Sequence, residues 1–179
     1  ISSVEDGHLF LGYSFIAEND VQVSSLGVYQ PVGTWDIWLD PFDPTETDLY
    51  GNTSSAHVGI YDDSGILISN ALIPPCSSAD FNYVDITPIN LLSGETYHLV
   101  MMTSPGVYYG YGTGAENITF DSNFTVTEMR SSSTNSCCSS LPATLPENTN
   151  GWSFGYVFAD LTYGNGCTDA TACNYGVEA

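Results

Sequence analysis

Basic residues are almost absent from this chain. Arg130 is the only lysine or arginine among 179 residues, set against 21 aspartates and glutamates, for a formal net charge of -20. Such a field repels phosphate backbones and anionic lipid surfaces, which argues against nucleic-acid binding. Long apolar runs are missing too. None approaches the roughly 20 residues of a membrane-spanning helix, so no direct membrane insertion is expected. No 3.6-residue apolar period persists for three turns, which argues against long helices. Catalytic signatures are equally scarce. There is no Gly-x-Ser-x-Gly elbow, and His8, His57 and His98 lack the spacing of a zinc triad. No catalytic residue and no catalytic cofactor are therefore assigned.

What is present describes a fold. With 42% hydrophobic and 13% aromatic residues the chain has enough apolar material for one sizeable core. Leu9, Leu11, Tyr13 and Phe15 alternate with Gly12 and Ser14, the period of a half-buried strand over Leu9–Ile16. Val21 and Val23 follow one phase and Leu26 and Val28 the other, so a β-bulge is expected at Ser24-Ser25. His57–Asp62 and Ile66–Ile73 read as a hairpin turning at Asp63-Ser64-Gly65, with Pro74-Pro75-Cys76 ending it. The stretch Phe81–Met102 reads strand, turn, strand. Pro88 belongs there at an edge or bulge, Ser93-Gly94-Glu95 makes the turn, and Tyr97–Met102 is apolar enough to be covered on both sides. Phe124–Met129 is a further strand. Ser131–Asn150 reads as a long excursion, and Trp152–Tyr163 as a central strand with apolar residues on both faces.

Short strands separated by turn signals at roughly ten-residue spacing define an all-β, antiparallel β-sandwich, jelly-roll-like, with long loops pinned by disulfides. Residues 1–164 are expected to form this domain and 165–179 a cysteine-containing tail.

Compartment follows from side-chain usage. Five cysteines (Cys76, Cys137, Cys138, Cys167, Cys173) and three Asn-x-Ser/Thr sequons (Asn52, Asn117, Asn123) accompany the absence of lysine. Together they favour a secreted, oxidising setting, extracellular or at the cell surface. The start at Ile1 fits a mature product whose signal peptide has been removed. Two bridges leave one thiol over. Adjacent Cys137 and Cys138 rarely bond to each other, so one is expected to reach Cys76, Cys167 or Cys173 and staple the tail to the sandwich.

Three constellations are candidate sites. Asp40, Asp43, Glu46 and Asp48 lie in a proline-rich loop with the oxygen ligands that calcium takes, though Thr45 stands where an EF-hand loop needs Gly; a plain solvated acidic loop is the competing reading. Trp35, Trp38, Tyr108, Tyr109, Tyr111 and Trp152 are flat aromatics of the kind that stack on sugar rings, and core packing accounts for the same residues. His98, inside an apolar strand, reads as a satisfied core or near-surface histidine.

The segments LGYSFIAENDVQVSSLGVY, HVGIYDDSGILISNALIP and FNYVDITPINLLSGETYHLV resemble, in that order, a secreted bacterial domain. It occurs in PEP-CTERM-sorted surface proteins and, in a related form, as an accessory domain of secreted glycosidases. The closing GWSFGYVFADLTY is similar to that family's terminal aromatic strand, so the resemblance spans Leu11 to Tyr163 with gaps. It implies a non-catalytic extracellular β-sandwich module. The insert from Asp40 to Ser55 and the cysteine-bearing excursion depart from the pattern. Gly166 to Tyr175, GCTDATACNY, resembles the opening of a repeat found in surface and secreted proteins of marine bacteria and some algae.

The sequence thus points to a structural module of a self-assembling surface layer, filament or adhesive appendage, partnered by copies of itself or by other surface proteins. A carbohydrate-binding accessory module, partnered by glycans, is the alternative. An enzyme built on a carboxylate pair ranks third.

Overall fold

The computed structural model describes residues 8–30, 55–74, 80–102, 121–134, 140–148 and 159–164. Eight strands follow in chain order: β1 (His8–Ala17), β2 (Val21–Gln30), β3 (Ala56–Asp62), β4 (Leu67–Ile73), β5 (Asp80–Leu91), β6 (Thr96–Met102), β7 (Phe124–Thr134) and β8 (Ala159–Gly164). They form two antiparallel sheets, ordered β4-β3-β6-β1-β7 and β5-β2-β8. Among the described residues there is no helix, and so none long and apolar enough to cross a membrane.

The sheets stack because each strand presents one apolar side. Leu11, Tyr13 and Phe15 of β1 meet Val21, Val23, Leu26 and Val28 of β2, with Val58, Ile60, Ile73, Leu91, Leu99, Met101 and Leu161 completing one cluster drawn from both sheets. Burying each such aliphatic side chain stabilises the fold by about 1.5–3 kcal/mol. An aromatic row closes one flank. Phe15 packs on Tyr97 and, edge to face, on Phe124, which meets Tyr163 of the opposite sheet in the same geometry. The molecule is an antiparallel β-sandwich. Its β2–β5 and β3–β6 pairs interlock, because the chain crosses between sheets at both β2–β3 and β5–β6. Among the described residues the sheets hold five and three strands.

Local chemistry explains the details. The β3–β4 hairpin turns at Gly65 and the β5–β6 connection at Gly94, both with positive φ (74° and 82°) that a side chain resists. Register shifts between Val23 and Ser25. Opposite β8 that step spans one residue, Tyr163 to Thr162, so Ser24 is the extra residue of a bulge. Opposite β5 it spans Ile89 to Asp85, and the surplus falls around Pro88. Pro88 therefore deforms β5 without ending it, which an edge strand tolerates.

Two expectations are corrected, and a third is seen only in part. Among the described residues β8, the end of the expected Trp152–Tyr163 strand, pairs with β2 alone. Its described part has one apolar face, Ala159, Leu161 and Tyr163, alternating with Asp160 and Thr162; residues 152–158, with the two-sided aromatic pattern, lie outside the described residues. Phe124–Met129 underestimates β7, which runs on to Thr134 because β1 supplies partners along its whole length. The expected excursion after Ser131 is thus partly strand, and residues 140–148 are held against the sandwich as a strap.

Candidate functional site

Most residues singled out in the sequence lie outside the described residues: Asp40, Asp43, Glu46 and Asp48; Asn52 and Asn117; Cys76, Cys137, Cys138, Cys167 and Cys173; Trp35, Trp38, Tyr108, Tyr109, Tyr111 and Trp152. Asn123 is described. Its amide nitrogen, the atom that would carry a glycan, donates to Asp121 Oδ1 at 2.9 Å and to the Tyr163 hydroxyl at 2.8 Å, while its oxygen accepts from Asn19. The Tyr163 hydroxyl and then the Asn123 N–H hold the Asp121 carboxyl below its usual range. Asn123 thus ties the β1–β2 turn to β7 and β8.

Among the described residues, the nearest arrangement to a catalytic pair is Ser14 Oγ and His98 Nδ1, 2.7 Å apart on neighbouring strands. Ser14 is only 2% exposed, so no substrate reaches its hydroxyl. Burial, then the Arg130 charge, lowers the pKa of His98 against the opposing pull of Asp63, Glu128 and Asp62, which favours the neutral ring. The pair satisfies polar atoms on two neighbouring strands, as expected for His98. Tyr13 is buried in the core between the sheets, and burial pushes its phenol well above the usual range. Among the described residues, no three His, Cys, Asp or Glu side chains converge to hold a metal.

The strap, residues 140–148, covers another part of the same sheet. Phe10, Tyr61, Val100 and Met102 form a second apolar cluster on the outer face of the five-stranded sheet, sealed by Leu141 with Leu67 and Leu145 against it. This is why Tyr97–Met102 is apolar on both sides. Gly59 makes room, since a Cβ there would stand 2.6 Å from Leu141 Cδ1. At one end Thr144 bridges Ile66, the Leu67 N–H donates to the Ala143 carbonyl (3.0 Å), and the Leu145 N–H donates to the Gly65 carbonyl (2.7 Å). The Tyr61 hydroxyl donates to the Pro142 carbonyl at 3.0 Å. At the other end Arg130, the chain's sole basic side chain, donates to the Pro146 carbonyl and to Glu128. Asn148 donates to Glu128 and to the Met129 carbonyl, and accepts from the Ser131 N–H. The recess beneath, lined by Phe10, Val100, Arg130 and Leu145, is about 10 Å³, room for one water at most.

The remaining feature is an edge. Four described strands lie at sheet edges, and three of them carry charge: Asp80 and Asp85 on β5, Glu128 and Arg130 on β7, Asp160 on β8. β4, LISNALI, carries none. Its Ala71 and Ile73 face the core, while Ile68 (37% exposed) and Leu72 (53%) face solvent beside Asn70, and Ile66 just before it is 49% exposed. Charges and prolines are how edges avoid pairing with other chains. β4 carries neither between the strap at Ile66 and Pro74, though its register against β3 steps from Ile60–Ser69 to Tyr61–Leu67, which leaves Ile68 as the extra residue of a bulge. Sequence reading took this run as half of a hairpin; its freedom from acids, in so acidic a chain, was the available signal. Comparison of the chain with protein-family models, curated proteins and solved structures gave no match.

Proposed function

We propose that this protein is a non-catalytic structural module that associates with copies of itself outside the cell, as a subunit of a surface layer, filament or adhesive appendage. The observation that carries this reading is β4, an uncharged edge strand exposing Ile68 and Leu72 in a chain of net charge -20. Copies of so acidic a protein repel one another, so attraction has to act where charge is absent. Secretion is supported by the missing lysine, the sequons and the cysteines. The resemblance to modules of sorted surface proteins supports the same setting.

Electron microscopy and sedimentation velocity of the full chain test the reading. Ordered polymers or discrete oligomers that grow with protein concentration are expected. A strictly monomeric protein at high concentration and physiological salt would remove it.

A further inference from the structure

We infer that the Arg130–Ser131 bond is this chain's cleavage site for endopeptidases that cut after basic residues, and that the strap guards it. Such enzymes select a lysine or arginine side chain through an acidic specificity pocket. The chain has no lysine and a single arginine, so no other bond answers to that chemistry.

Three contacts close the bond. The guanidinium, with the side chain 13% exposed, donates to the Pro146 carbonyl of the strap and to Glu128. A protease has to draw it out of both bonds before its pocket can take it. Next, Asn148 of the strap accepts from the Ser131 N–H and donates to the Met129 carbonyl. Backbone groups alternate sides along an antiparallel strand, and these two are the ones that β7 turns away from β1 on either side of Arg130. Among the described residues β7 ends its sheet, and a bare edge is where another chain can pair. Asn148 fills that edge at the scissile bond. Last, Arg130 sits opposite Gly12 in the β1–β7 ladder, so its own carbonyl is turned toward β1 and away from an attacking enzyme.

The strap is the first of these to yield. It is held by side chains and a few backbone bonds, whereas β7 pairs with β1 from Phe124 to Thr134. Only when the strap has left can the edge strand peel from β1 and present Arg130. Cutting of a transiently opened bond tracks the population of the open form when reclosing is fast. Loosening the strap raises that population. A destabilising change elsewhere in the sandwich leaves this local opening almost as it was.

The test is digestion of the folded full chain with trypsin, followed by mass spectrometry of the fragments. The parent should persist, while the denatured chain is cut once, into pieces ending at Arg130 and starting at Ser131. Asn148→Ala should be cut about tenfold faster than the folded parent, since it releases the Ser131 N–H and the Met129 carbonyl together. Arg130→Lys keeps a basic residue but loses the fork that reaches Pro146 and Glu128 at once, and should also be cut faster. Gly27→Ala, on the smaller sheet, controls for general destabilisation and should be cut like the parent. Circular dichroism confirms that each variant is folded. Equal rates for the folded parent and Asn148→Ala, cut or uncut, overturn the guard. Gly27→Ala cut as fast as Asn148→Ala does the same, because the opening is then global. A denatured chain that trypsin leaves whole overturns the site.

Discussion

Tyr83 on β5 reaches across β2 to hydrogen-bond Asp160 on β8, passing over Gly27. The three residues lie in one cross-strand row, Tyr83 opposite Gly27 and Gly27 opposite Asp160. A Cβ at Gly27 would stand 2.6 Å from Tyr83 Cε1, so glycine is what lets the ring lie there. One side chain thereby laces all three strands of the smaller sheet on its outer face.

Gly27→Ala is expected to cost about 1–2 kcal/mol, because the ring can swing aside at the expense of its bond to Asp160. Gly12→Ala should cost more, about 3 kcal/mol or above. There the obstacle is the Leu99 backbone carbonyl of the neighbouring strand, which cannot move without breaking the β1–β6 ladder. Urea midpoints of both variants check the ranking, and equal costs would contradict it.

Arg130→Gln should loosen the strap without unfolding the sandwich. The Pro146 carbonyl loses a charged donor and Glu128 its ion pair, which is half exposed on the carboxylate side and contributes little. Hydrogen exchange at the Leu145 amide is expected to accelerate, while amides of β6 keep their protection. Leu141→Ala, which empties a buried position against Gly59 and Tyr61, should cost about 2 kcal/mol and accelerate the same amide.

His98 sets a pH dependence of known sign. Its folded pKa lies below the ordinary 6.5, so the unfolded chain binds the proton more readily. This contribution to stability is present above about pH 6.5 and declines as pH falls through that value toward the folded pKa. Arg130, Asp62, Asp63 and Glu128 are the charges that act on the ring. Denaturation midpoints at pH 7.5 and 5.5 should differ in the parent, and His98→Gln should flatten the difference.

Asn123 is expected to carry no glycan in the folded protein, since both amide hydrogens already serve Asp121 and Tyr163. Peptide mass spectrometry of natively produced material tests this. Asn123→Ala should cost about 1–2 kcal/mol through the partners it leaves.

The one-sided strands, the bulge at Ser24, both glycine turns and the two-sided cover of β6 were legible because period-2 alternation and positive-φ glycines are local facts of the chain. Strand order was not: the run Trp152–Tyr163 reads as apolar on both sides, yet whether a strand lies at a centre or an edge depends on partners distant in sequence. The strap's role was equally hidden. Leu141 and Leu145 sit in a run rich in Ser, Pro and Asn, and their value comes from a hole over Gly59 that only folding creates. Likewise, composition alone established that one cation must serve the whole chain. That it latches Pro146, and that the charge-free strand falls at an edge where Ile68 and Leu72 stay wet, was decided in three dimensions, because edges and latches are made by contacts between residues that the chain order keeps apart.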